Sequence, residues 1–210
     1  MTIETGGRLP PTSYAPPQVS WGDFLDWVLG IEGRAEWVDG EIIGIAGENV
    51  RHHLIVGFLH ILVTLHAERH RLGLVFAWTF LMKMQHRPTG RMPDLMFLAN
   101  EHRERLQGTY LDGPADLAVE VVSPDSEVRD RREKMAEYEV AGVREYWLID
   151  EPRREAYFYT LDRNGRYREA LPSVDGIYAS TVLPGLRLRV DWLWRDPLPT
   201  FDEALADLPA

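Results

Sequence analysis

Leu117-Ala118-Val119-Glu120-Val121-Val122-Ser123-Pro124 is a short apolar run broken by a single acid and closed by proline. It reads as a compact strand over Leu117 to Val122, and Ser123-Pro124 ends it because proline lacks a donor and restricts the residue before it. Side chains alternate along a strand, so Glu120 shares a side with Ala118 and Val122 while Leu117, Val119 and Val121 point oppositely. A carboxylate in such a run needs solvent or a counterion, since burial without a partner is costly.

Upstream, Arg91-Met92-Pro93-Asp94-Leu95-Met96-Phe97-Leu98 holds a second acid in a similar setting, with Pro93 able to take the first position of a strand running Asp94 to Leu98. If the two strands pair in register, Asp94 and Glu120 meet at one sheet edge or bend. Two ionised carboxylates at that separation repel, and a hard divalent ion such as Mg²⁺ or Mn²⁺ relieves the repulsion while leaving positions for water. The competing reading puts each acid at a strand end facing solvent.

Downstream, Ser126 is a candidate cap for a helix through about Ala141, closed by Gly142. Lys134 on this helix shares a face with Tyr138 four residues on and can carry an ammonium back over the strand end. Such a lysine can orient an attacking water or stabilise phosphoryl charge; its alternative is a solvated place in the charged run Arg129 to Lys134. Two strands follow, Glu145 to Asp150 and Ala156 to Leu161, then an Asn164-Gly165 turn with Tyr167 opening another strand, and an alternating Leu186 to Val190.

Towards the N-terminus, Leu74 to Met84 reads as one long strand, and His52 to about His70 as a helix with a broad apolar stripe that Gly73 stops. Asp39-Gly40 fits a two-residue hairpin turn between Ala35 to Val38 and Glu41 to Ile43. Ser20 caps a short helix bearing Trp21, Phe24, Leu25 and Val28. Glu36 and Glu41 flank the hairpin turn: Glu36 is a candidate third carboxylate, and His52 at the helix start a candidate to hold phosphate or water through a ring nitrogen. Asn100 to Gly113 reads as a charged surface excursion.

The chain has 210 residues, a formal charge of -10, no cysteine and 45% hydrophobic residues. Disulfide scaffolds and thiolate zinc sites are excluded, and the apolar fraction suits one globular domain. Residues 1–18, with four prolines, read as a flexible N-terminal arm, 19–196 as the folded domain and 197–210 as a C-terminal tail. The acidic balance offers no long-range attraction to phosphate backbones, so nucleic-acid contact requires a local basic patch or bound metal. No run approaches eighteen apolar residues and no export signal is apparent, so the expected location is cytoplasmic with no membrane partner. Walker, dinucleotide, HExxH and nucleophile-elbow motifs are absent, which leaves a water nucleophile beside a divalent ion as the chemistry these groups suit.

The ordered set Glu36-Trp37-Val38-Asp39-Gly40-Glu41-Ile42, His52 with Ile55-Val56-Gly57 and Leu59, Arg91-Met92-Pro93-Asp94, Glu120-Val121-Val122-Ser123-Pro124, Asp130 to Lys134 with Tyr138, Gly142-Val143, Glu145-Tyr146-Trp147 and Leu183-Pro184-Gly185-Leu186 resembles the Uma2-like endonuclease family. That family, formerly a domain of unknown function, lies within the PD-(D/E)XK restriction-endonuclease-like superfamily, and the resemblance spans about Ser20 to Trp194. It implies an α/β (α+β) fold, a restriction-endonuclease-like core with a mixed central β-sheet flanked by helices. It also implies metal positions at Asp94, Glu120 and Val121, with Glu36 as the upstream acid, His52 as the helix-start histidine and Lys134 as the helix lysine. Where the superfamily pattern has a lysine two residues beyond the second acid this chain has Val122, a departure the Uma2-like branch shares, and Lys134 looks like the relocated basic group.

The activity so implied is Mg²⁺- or Mn²⁺-dependent hydrolysis of DNA phosphodiester bonds by metal-activated water. Two other classes stay open at this level: a noncatalytic nucleic-acid- or protein-binding module on the same fold, and a paired-carboxylate hydrolase acting on sugars. A homodimer would place two equivalent sites on a duplex, with the aromatic-rich C-terminal region as a candidate interface.

Overall fold

The computed structural model describes residues 18–30, 34–44, 49–78, 80–122 and 129–206. The N-terminal arm up to residue 17, the Ser123-Pro124 stop and the Ser126 cap lie outside them.

Helix α1 (Trp21–Leu29) starts where Ser20 accepts a hydrogen bond from the Asp23 amide, and buries Phe24 and Val28. Strands β1 (Ala35–Val38) and β2 (Glu41–Gly44) form the expected hairpin, with Val38 opposite Glu41 and both turn residues in the left-handed region, Asp39 at φ 51° and Gly40 at φ 87°. Helix α2 (Val50–Arg69) is capped by the Asn49 side chain, which accepts from the His52 amide. It ends before Gly73: Arg71 takes the positive φ of 52°, and the Leu72 amide bonds the Ala67 carbonyl. Gly73 instead opens β3 (Gly73–Ala77), where a Cβ would lie 2.0 Å from the Leu98 carbonyl oxygen, so that close backbone approach excludes any side chain.

The single strand expected over Leu74 to Met84 is two strands in two sheets. β3 ends at Trp78, whose φ of 67° turns the chain out of the ladder, and β4 (Leu81–Met84) joins the other sheet. Alternation of apolar residues persists through the break, with β3 half-buried and β4 largely buried, and the pattern cannot report a change of sheet. Asn100 to Gly113 is likewise more than a surface excursion. After a 3₁₀ segment over Asn100–Arg105 it forms β7 (Tyr110–Asp112), parallel to β4, and sends the fully buried Leu111 into the core.

Four further strands and a helix complete the site region: β5 (Thr89–Arg91), β6 (Leu95–Ala99), β8 (Leu117–Val121), α3 (Met135–Ala141) and β9 (Glu145–Asp150). A wide π-helical turn over Arg129–Lys134 leads into α3, which Gly142 terminates at φ 90°. Beyond lie β10 (Glu155–Leu161), β11 (Tyr167–Glu169), the ribbon β12 (Ile177–Ala179) with β13 (Arg187–Arg189), and α4 (Phe201–Ala206).

Among the described residues, one sheet runs β2-β1-β5-β4-β7 and a larger one β11-β10-β9-β8-β6-β3. The pair β8 and β9 is parallel, as a helical crossover requires, and its neighbours are antiparallel. The fold is therefore mixed α+β.

The face assignment for the Glu120 strand holds. Leu117, Val119 and Val121 pack with Leu95, Phe97, Trp147 and α2, while Ala118 and Val122 pack with Met96, Leu98, Leu148 and Tyr138 of α3. The C-terminal aromatics face inward: Trp192 is buried against Phe58 of α2, and α4, from the segment read as a tail, stacks Phe201 on Phe58 and buries Ala204. Trp192 is core, with Trp194 and Phe201 packed against it and half-buried. α2 is also long and apolar enough to cross a membrane by length and composition, but half of that window packs inside the protein.

Candidate active site

Four residues carry the chain from one sheet to the other. Arg91 ends β5, while the Asp94 carbonyl accepts from the Trp78 amide at the edge of β6, so Met92-Pro93 spans the seam where the sheets meet. Leu95 pairs with Val119 in the antiparallel β6–β8 ladder, and continuing that register by one residue sets Asp94 across from Glu120. The Val121 amide donates to Asp94 Oδ2 at 2.8 Å, tying the two acid-bearing segments together. Val121 thus meets Asp94 through its main chain.

Asp94 is 3% exposed. His52 Nε2, from the first turn of α2, lies 3.3 Å from its Oδ1, and the Arg34 guanidinium reaches the same oxygen at 3.5 Å. Burial alone would raise the Asp94 carboxyl, but His52, the Lys134 charge and the Val121 amide together hold it below the usual carboxylate range. The histidine ring faces this carboxylate from a buried position.

Glu120 is also buried, and both its oxygens accept: Oε2 from Lys134 Nζ at 2.8 Å, Oε1 from the Tyr138 hydroxyl at 2.6 Å. Lys134 and Tyr138 therefore project from one helical face onto the same carboxylate. Burial and the Glu120 and Glu36 charges push the Tyr138 phenol well above its ordinary value, so it stays protonated and donates.

Glu36, fully buried on β1, brings a second carboxylate to the same lysine, with Oε1 at 3.2 Å from Lys134 Nζ. Its Oε2 accepts from Arg91 Nη1 at 2.8 Å, and Oε1 accepts from the Met92 amide at 3.3 Å. Glu41, across the hairpin turn, is exposed and stands apart from this cluster. Arg91 is fully buried and clamped by Glu137 of α3, which accepts from Nε at 2.7 Å and from Nη2 at 3.0 Å. Burial would lower the Arg91 value, yet its hydrogen bonds to Glu137 and the charges of Glu36 and Glu137 raise it, so the guanidinium is permanently charged. Arg87 extends the chain outward, donating to Glu137 and to the exposed Asp39.

Asp94, Glu120, Glu36, His52 and Lys134 thus converge at the seam. Sequence reasoning assigned no role to Arg91, Glu137, Tyr138 or Arg34. Arg91 and Tyr138 do stand in the resembling segments, but their partners lie 55 and 18 residues away, and no local spacing reveals those contacts. Val122, at the superfamily's lysine position, is core at 3% exposure, and the ammonium near Glu120 comes from Lys134 instead.

A separate group, Glu101, His102 and Asp116, brings ligand atoms within 4.8 Å of one another. Asp116 accepts from the Ala99 amide and pairs with His102 Nδ1 at 3.0 Å, and Arg144 joins both acids, an arrangement that fastens the 3₁₀ segment to the sheet.

No curated protein matches the chain. A crystal structure described as "a putative nuclease belonging to DUF820", from Anabaena variabilis, superposes with a TM-score of 0.67 at 15% identity, covering 84% of this chain and 97% of that one. At that identity the likeness establishes a shared fold. The model of the Uma2 family, described as "Putative restriction endonuclease", matches residues 21–191, which takes in both sheets and every residue of the seam. The chain belongs to the Uma2 family.

Proposed function

We propose that this protein is a Mg²⁺- or Mn²⁺-dependent DNA endonuclease, with Asp94, Glu120 and Val121 as metal positions and Lys134, Glu36 and His52 completing the catalytic set. The observation that carries the reading is two buried carboxylates, Glu36 and Glu120, bridged by one ammonium at a sheet seam, with a third buried carboxylate, Asp94, set across from Glu120. The donor set fits such an ion: carboxylate oxygens are hard ligands, and Asp94 is held ionised. A divalent ion at this place supplies Lewis-acid polarisation of a phosphoryl oxygen and eases deprotonation of water.

The protein's own groups do the rest. Asp94 is oriented by the Val121 amide and His52, Glu120 by Tyr138 and Lys134, so neither carboxylate must reorganise on substrate arrival. Lys134 lies between Glu120 and Glu36, where it positions water or stabilises charge on phosphorus. Hydrolysis forms one bond from water oxygen to phosphorus and breaks one phosphorus–oxygen bond, the leaving oxygen taking a proton. We further propose action in the cytoplasm and pairing of two chains on duplex DNA, which concentration-dependent mass measurement tests.

The test is cleavage of plasmid, duplex and single-stranded DNA with Mg²⁺ or Mn²⁺, with EDTA, and with Asp94→Ala and Glu120→Ala side by side. Cleavage abolished by EDTA and by each substitution supports the mechanism; cleavage that survives both substitutions refutes it. One observation favours a second reading, a noncatalytic binding module: both Glu120 oxygens already accept strong hydrogen bonds. Folded protein without saturable Mg²⁺ binding would decide for that module.

A further inference from the structure

Charges of both signs are buried at the seam. Among the described residues there, those no more than 5% exposed include the carboxylates Glu36, Asp94, Glu120 and Glu137 against the cations Arg91 and Lys134. Burying this many charges is costly unless each is compensated. The other buried acids lie elsewhere with their own partners: Asp116 with His102, Asp150 with Arg153, and Glu145 accepting from Trp147 and Thr181.

Two further cations stand at the edge. Arg87 is shared with the exposed Asp39 and so compensates a charge outside the cluster. Arg34, 3.5 Å from Asp94 with its side chain 19% exposed, adds one positive charge on the solvent side.

The place a second divalent ion would need is filled. Glu36 and Glu120, the carboxylates beyond Asp94, are bridged by Lys134 Nζ at 3.2 and 2.8 Å, and their remaining oxygens accept from Arg91 and Tyr138. We infer that Lys134 stands in for a second cation between Glu36 and Glu120, so that each chain takes one divalent ion. The inference rests on the metal-dependent reading above and deepens it.

Mn²⁺ titrated into the full-length protein, followed by calorimetry and by native mass spectrometry, reads the count directly. The expected result is one ion per chain that is lost in Asp94→Ala; any uptake surviving that substitution, as at Glu101, His102 and Asp116, is subtracted. In Lys134→Met a second ion is expected, with the first bound at least about tenfold more tightly once the repelling ammonium is gone. Should Lys134→Met fail to fold, Lys134→Gln carries the same expectation, and the wild-type count stands by itself as a test. Two Asp94-dependent ions in the wild type, or an unchanged count and affinity in a folded Lys134 variant, overturn the inference. Two ions with DNA cleavage intact overturn it alone; no saturable Mn²⁺ binding in the wild type overturns the metal-dependent reading together with it.

Discussion

Arg91 has no exposed surface, and its guanidinium holds Glu36 on one side and Glu137 on the other. Removing the charge while keeping the bulk, as in Arg91→Met, strands two buried carboxylates, and about 3–5 kcal/mol of stability should be lost. Urea unfolding of the purified variant measures this; a loss below about 1 kcal/mol would mean the two acids take up protons or rearrange at little cost. Tyr138→Phe is milder, because Glu120 keeps its bond from Lys134, and about 1.5–3 kcal/mol is expected for a lost hydrogen bond to a charged group. Glu120→Gln retains shape and removes the charge, so kcat for DNA cleavage should fall at least about 100-fold in protein shown to be folded. A variant with near-normal kcat would take Glu120 out of the chemistry.

Single elements carry their own predictions. β3 lies so close to β6 that Gly73→Ala would place a methyl group 2.0 Å from the Leu98 carbonyl oxygen, and a loss of more than about 2 kcal/mol should follow from the forced separation of the strands. Hydrogen exchange localised to β3 and β6 would show the damage, and an unperturbed pair would contradict the packing. In α2, burial lowers the values of His60 and His66, and His66 Nε2 meets the Pro184 carbonyl at 3.0 Å. The unfolded chain therefore binds protons at a higher pH than the native state. Stability from these histidines is complete above their ordinary value of 6.5 and declines as pH falls through the window below it. Melting at about pH 7.5 and about pH 5.5 should show a drop, smaller in His66→Gln, and an equal drop in both proteins would exclude His66 as a contributor. The element boundaries follow the same local physics: Ser20, Asn49 and Gly142 terminate helices through caps that depend only on their neighbours.

At the scale of the molecule, the site belongs to neither sheet by itself, since Glu36 and Arg91 come from one, Asp94 and Glu120 from the other, and Lys134, Glu137 and Tyr138 from the helical segment after β8. An ion held there ties all three together, so Mn²⁺ at 100 times its dissociation constant should stabilise the fold by about 2.7 kcal/mol and raise the melting temperature, and EDTA should reverse the shift. A melting temperature indifferent to Mn²⁺ would show that the seam takes no ion. Much of this was legible in the residues: the hairpin at Asp39-Gly40, the helix from His52, the strand around Glu120 and the side to which Glu120 points all follow from turn chemistry, helical spacing and period-two alternation, which act between neighbours. The split of Leu74 to Met84 at Trp78 was not legible, because two strands in different sheets show the same alternation as one. Nor was the inward packing of Trp192 and Phe201, or the bridging of Glu36 and Glu120 by Lys134. Sequence by itself determined which acids, histidine and lysine were available and on which elements they ride. Only the tertiary structure decided that Arg91, Glu137 and Tyr138 hold them, because buried charges choose partners by distance through the core, and distance along the chain does not report it.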